Sequence, residues 1–281
     1  MIAISQFQDI HEDICKIADQ KWATMIVLPF HKYQRVDGVL ESVNLGFRTV
    51  NEKILKNSPC SVGILVDMGL EGQSQLVPSN VDHNIAALLF KGPDDREALV
   101  FGRRMAEHQG IALIVIRFLP GTEFNHTLVN LTPLPAHERE TQQQYKFSTA
   151  EMNRKHENIL DEDALVPITK KTHSSDGSDA GKPIVYEEQV ISNTVHSVLA
   201  IAKNNKYDPF LVGMGHFPPP LVADLADQTA DYLELGPIGD LLASPTIRII
   251  ASILVIQQHD DIHTDEAPFS KNVDLTNVVN I

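Results

Sequence analysis

The chain has 281 residues, 43% of them hydrophobic, which is enough for one large domain or two smaller ones with a real core. Its 37 acidic side chains outnumber 23 basic ones, and the net charge of −14 repels nucleic acid and anionic lipid surfaces. Two cysteines, Cys15 and Cys60, make no disulfide framework and fit a reducing compartment, and no run reaches the roughly 18 apolar residues of a membrane span.

In chain order, residues 5–20 are predicted as a helix with Ile10, Ile14, Ile17 and Ala18 on one face. ATMIVLPF (23–30) reads as a short buried strand and HKYQRVDGVLESV (31–43) as a polar loop. FRTVNEKILKN (47–57) is a helix with Phe47, Val50, Ile54 and Leu55 on one face, ended by Ser58-Pro59. SVGILVD (61–67) is a strand, and a loop punctuated by Gly69, Gly72, Pro78 and Ser79 follows. IAALLF (85–90), DDREALVFGRRMAEHQG (94–110) and IALIVIRFL (111–119) read as strand, helix and strand, a βαβ unit.

Residues 120–183 are the least regular part. The pattern predicts partial helix over 138–155, a second helix over 161–171 and a mobile Ser/Asp/Gly-rich loop over 172–183. IVYEEQV (184–190) is a strand, 191–203 a helix, PFLVG (209–213) a strand, 221–233 a helix and ASILVI (251–256) the last strand. Between them YLELGPIGDLLAS (232–244) opens a further helix on glycine and proline. After Gln257 the chain turns acidic and is expected to fray.

Leu45-Gly46 precedes SVGILV as Leu235-Gly236 precedes ASILVI, and both pairs and both strands are offset by 190 residues. The second copy is preceded by further strands and a helix, the first by nothing but ten residues of helix. The expected organisation is a partial first unit over 1–78, a second unit over 79–260 and a flexible acidic tail over 261–281. The first unit then begins in its middle, so that residue 1 falls inside a longer natural chain.

Parallel strands with crossover helices define an α/β fold of tandem doubly wound sheets, the first incomplete at its N-terminus. Ligands in such sheets bind beyond the strand C-termini, where strand order reverses. An order of 3-2-1-4-5 places that reversal between IAALLF and PFLVG. Their outgoing turns carry Gly92, Asp94, Asp95 and Arg96 on one side and Gly213, Gly215 and His216 on the other. The helix holding Gly236 and Gly239 would start beside them. Asp94 is either an N-cap or a wall of this crevice, or both. His216 is a candidate titrating group or a solvated loop histidine. His31, Lys32, Asp37 and Glu41 line an equivalent crevice, contact the second unit, or form a plain surface loop. The strands SVGILV and ASILVI are expected to join the two units edge to edge, with Val62, Ile64, Val66, Ile253 and Val255 at the interface.

Seven segments together resemble one family. They are IHEDIC (10–15), LPFHKYQRVDG (28–38), FRTVNEKIL (47–55), SPCSVGILVD (58–67), GPDDREAL (92–99), GRRMAEH (102–108) and ELGPIGDLLAS (234–244). The chain resembles, over about residues 3–260, the C-terminal cytosolic region of the plant cation/H+ exchangers, a branch of the monovalent cation–proton antiporters. The resemblance implies two tandem universal-stress-protein-like units of the adenine-nucleotide α-hydrolase type. It implies a non-catalytic regulatory tail on the cytosolic face of an endomembrane or the plasma membrane, serving K+/Na+ and pH homeostasis. The implied partners are the transmembrane antiporter domain of the same parent chain and a second copy in a homodimer.

Stress proteins that bind ATP carry G-x2-G-x9-G-[ST] after the fourth strand. Here one residue separates Gly213 from Gly215, and Pro237 follows Gly236 where Ser or Thr would stand. Proline lacks an N–H and removes a phosphate donor, yet it is a good first residue of a helix. The glycines therefore read either as a phosphate cradle or as packing devices. An adenine nucleotide in the crevice stays open as a cofactor, and a stand-alone nucleotide-binding stress protein is the alternative to the antiporter tail.

Overall fold

The computed structural model describes residues 9–34, 40–42, 45–68, 83–121, 140–173, 184–204, 206–215, 221–222, 225, 231–245, 247 and 249–259. The elements are α1 (Ile10–Gln20), β1 (Met25–Pro29), β2 (Lys32–Gln34), β3 (Leu40–Ser42), α2 (Leu45–Asn57) and β4 (Ser61–Val66). There follow β5 (His83–Leu89), α3 (Pro93–Met105), β6 (Ile111–Pro120), α4 (Glu140–His173), β7 (Val185–Ile191), α5 (Thr194–Ala202) and β8 (Phe210–Gly213). A 3-10 turn (Leu233–Leu235), α6 (Gly236–Ala243) and β9 (Ile253–Gln257) complete the series.

Seven strands form a single sheet in the order β1-β4-β9-β8-β5-β6-β7. From β7 to β9 every pairing is parallel, and the chain order there is 3-2-1-4-5. β1 and β4 are also parallel to each other. The two blocks meet where β4 runs antiparallel to β9, in the register Gly63↔Ile256, Ile64↔Val255, Leu65↔Leu254 and Val66↔Ile253. The two blocks, joined edge to edge through SVGILV and ASILVI, thus form one sheet with a single reversal of direction at the seam. The cause is the buried apolar character of both strands, which leaves neither edge tolerable in water.

Alternation of side chains sorts this sheet into two cores. Val62, Ile64, Val66, Ile253 and Val255 point to one face, and all are at most 1% exposed. On that face Ile238 and Leu242 of α6 join Ile64, Val66, Ile253 and Val255, and Val50 and Ile54 of α2 join Val62. The opposite face buries Ile85, Ala87, Leu113, Leu211 and Leu254 under α3 and α4. Fully burying one Ile or Val contributes about 1.5–3 kcal/mol, so the seam is cemented by its side chains as much as by its ladder. Gly102 of α3 lets the helix lie close on the sheet. A Cβ there would come within 2.8 Å of Leu211 and 3.1 Å of Leu113.

Two local readings need correction. The 138–155 and 161–171 helices are one 34-residue helix, α4, with Pro167 inside it. Its sheet-facing residues Leu165 and Ile168 are buried, and that packing holds the helix together across the proline. The polar loop at 31–43 contains an antiparallel ribbon, β2 with β3, in the register Tyr33↔Glu41. Much of the expected helix at 221–233, the loop at 174–183 and the tail beyond 259 lie outside the described residues.

Candidate functional site

The crevice at the switch point is built from the three Gly-containing segments. It is lined by Lys91, Gly92, Asp94, Asp95, Gly213, Gly215 and Pro237, among others. β5 and β8 are adjacent and parallel, so their outgoing turns emerge side by side. α3 begins there because Gly92 adopts φ 108°, Pro93 supplies a helical φ at the first position, and Asp94 and Asp95 fill the first turn.

Several of the loop N–H groups at the crevice are occupied by the two aspartates. Asp95 accepts from Phe90 N–H (2.5 Å) and Lys91 N–H (2.8 Å) through Oδ2, and from Gly213 N–H (3.2 Å) through Oδ1. Asp94 accepts from Gly215 N–H (2.8 Å) and from Gln258 N–H (2.7 Å). Both aspartates are buried. Together they tie the ends of β5, β8 and β9 to the first turn of α3. Lys91 takes φ 118°, a left-handed value that costs a non-glycine residue of order 1–3 kcal/mol. The hydrogen bond of its N–H to the enclosed carboxylate offsets that cost.

The glycines fit around these carboxylates. A Cβ on Gly213 would stand 2.3 Å from Asp95 Oδ1 and 2.7 Å from the Asp95 nitrogen. Gly236, at φ 62°, presses on Met214, whose carbonyl oxygen would lie 1.9 Å from a Cβ. Gly239 sits under Val255, 2.7 Å from where its Cβ would be. What remains of the crevice is about 20 Å³, room for roughly one water. Burial pushes the Asp95 carboxyl up to about 7, against the Phe90 and Lys91 N–H donors, with neighbouring Asp94 and Asp161 adding to the rise.

Arg96 is not in this crevice. It lines a separate cleft under α4, where it meets Glu157 (2.8 Å) and Asp161 (2.6 Å). Gly92 N–H also donates to Asp161 (3.2 Å), and Lys91 Nζ to Asn158 (3.0 Å). Arg117 of β6 pairs with Glu162. These groups fasten α4 to the sheet, and the sequence reading singled out none of its acids. His216 lies outside the described residues. Val62, Ile64, Val66, Ile253 and Val255 lie on the paired strands β4 and β9, each flanked by a neighbour on both sides.

A 3-2-1-4-5 parallel unit with a Gly-lined switch-point crevice, extended by a parallel strand pair in the opposite direction, is a doubly wound α/β protein. Residues 1–70 match the family model described as a plant cation/H(+) antiporter domain, and residues 82–257 match that of the plant cation/H(+) antiporter C-terminal domain. The chain belongs to the plant cation/H+ antiporter family. It is 40% identical to cation/H(+) antiporter 20 of Arabidopsis thaliana over 96% of this chain and 33% of that protein. To cation/H(+) antiporter 15 of the same plant it is 39% identical over 95% of this chain and 32% of that protein. The chain therefore spans about a third of the length of these relatives. Among solved structures it is similar to a universal stress protein from Archaeoglobus fulgidus (13% identity, TM-score 0.38, 89% of this chain and 66% of that one). A second, from Pseudomonas aeruginosa, gives 12% identity and a TM-score of 0.39 over 90% and 68% of the two chains. Among the described residues no helix is long and apolar enough to cross a membrane.

Proposed function

We propose that this chain is the cytosolic regulatory part of a cation/proton antiporter and that it works by contact rather than by catalysis. Membership of the antiporter family supports the setting. The observation that carries the rest is the use of the Asp94 and Asp95 carboxyls as built-in acceptors. Their carboxylates sit on the N–H groups of Gly213, Gly215 and Lys91, where a nucleotide phosphate would need them. A phosphate entering this turn would meet two carboxyls and a space of about 20 Å³. The crevice is accordingly a structural knot that locks α3 to three strand ends. The unit influences the attached membrane domain through the population of its own conformations.

Two measurements test this reading. Calorimetric titration of the chain with ATP, ADP, AMP and cyclic nucleotides is expected to give no binding heat up to millimolar ligand, and saturable heat would restore the nucleotide-binding alternative. In membrane vesicles, a parent antiporter lacking the region equivalent to this chain is expected to exchange cations with an altered dependence on cytosolic pH. Identical exchange with and without the region would remove the regulatory role.

A further inference from the structure

The seam between the two blocks encloses a second polar cluster, 203 residues apart in sequence. His31 leaves the end of β1, and Glu234 lies in the 3-10 turn that leads into α6. Their side chains are 3% and 0% exposed, and His31 Nδ1 stands 2.7 Å from Glu234 Oε1. Arg48 of α2 approaches the other carboxylate oxygen only to 3.8 Å and is shared with Glu52 at 3.0 Å. Neither Glu234 oxygen nor His31 Nδ1 completes a hydrogen bond of good geometry among the described residues.

A buried imidazole nitrogen and a carboxylate oxygen cannot approach to 2.7 Å with lone pairs facing. One proton must lie between them. The pair therefore shares one proton, which the proposal places on Nδ1, and Nε2 is then the further site to fill. Around it the charged and titratable neighbours come from every packed element. Lys32 of β2 donates to Tyr232 Oη (2.8 Å) and lies 4.4 Å over its ring. Arg48 and Glu52 come from α2, and Asp240 of α6 accepts the Tyr232 N–H (2.9 Å). The Phe30 and Tyr232 rings close the cluster, 4.3 Å and 5.9 Å from the imidazole. A second proton has to enter this buried site beside Lys32 and Arg48.

We propose that His31 and Glu234 form a proton-binding site at the seam, whose second protonation on acidification loosens the contact between the β1-β4 block and the rest of the sheet. Burial is the main force on the imidazole and pushes its pKa below the ordinary value, with Lys32 and Arg48 acting in the same direction and Glu234 opposing them. The sign follows. A histidine harder to protonate in the folded chain contributes stability that is present above about pH 6.5 and is lost as pH falls. The inference concerns the protein's own response to protons and does not depend on the antiporter reading.

Nitrogen NMR of the imidazoles in the full chain reads the site directly. His31 is expected as the Nδ1–H tautomer, with a titration midpoint below that of an exposed histidine, and Glu234→Gln is expected to lower that midpoint further. Hydrogen-exchange protection of the β4 and β9 amides, corrected for intrinsic exchange, is expected to fall by up to about tenfold from pH about 7.5 to 5.5. In His31→Gln that part of the fall should vanish. An Nε2–H tautomer, or a midpoint that Glu234→Gln leaves unchanged, overturns the proposal, and the wild-type titration decides even if a variant fails to fold. Protection falling equally in wild type and His31→Gln overturns the coupling to the seam.

Discussion

Asp95→Asn probes the knot at the switch point. The carboxyl is buried against three backbone N–H groups and its pKa is raised from 3.8 to about 7. A folded pKa above the unfolded one means that the native chain holds an extra proton between these values. Stability from this group is present at acid pH and is lost as pH rises through about 7. Between pH about 4.5 and 7.5 the loss is about 3 kcal/mol, from roughly 1.36 kcal/mol per unit over the part of the window that is crossed. Asparagine has the same shape and no charge, so this slope should disappear in the variant. It also turns one acceptor into a donor facing an N–H, a cost of about 1–3 kcal/mol at acid pH. The assay is urea unfolding of both proteins across that range, taking the difference between them at each pH. Other groups cancel in that difference, including Asp208 and Asp240, which burial also raises, and His31, which it lowers. Parallel curves for the two proteins would refute the argument. They would show that the N–H donors keep Asp95 charged throughout.

Gly236→Ala should destabilise the chain by more than about 2 kcal/mol in thermal unfolding. The new methyl would lie 1.9 Å from the Met214 carbonyl oxygen at a residue held at φ 62°, and unchanged stability would mean that the turn moves aside freely. Arg96→Ala strips the cationic partner from Asp161, whose side chain is 8% exposed and keeps only the Gly92 N–H among the described residues, and should cost about 2–4 kcal/mol. The damage should concentrate in α4, seen as faster proteolysis within 140–173 while β8 and β9 keep their exchange protection. Uniform loss across the sheet would argue against a local clasp.

The periodicity of apolar residues, by itself, placed IAALLF, the helix after it, IALIVIRFL and PFLVG as strands and helix, because a buried parallel strand must be apolar on both faces. Local rules also put Asp94 and Asp95 in the first turn of α3, and glycine with proline at the start of α6. α4 was less legible, since its N-terminal half carries no apolar stripe and Pro167 interrupts the rest. Its continuity comes from Leu165 and Ile168 against the sheet and from Arg96 holding Asp161. The β2–β3 ribbon is too short to show a period of two.

The meaning of the glycines was a tertiary matter. One sequence motif serves equally as an anion cradle or as close packing, and the choice depends on what occupies the N–H groups. Asp95 meets Gly213 across 118 residues, and Asp94 meets Gln258 across 164. His31 finds Glu234 only because β4 runs antiparallel to β9 and folds one block's strand exit onto the other's helix entrance. Hydrophobic pattern acts over a turn or a strand and is written locally. Pairing of buried charges depends on distance in space, which the chain acquires only when the sheet closes.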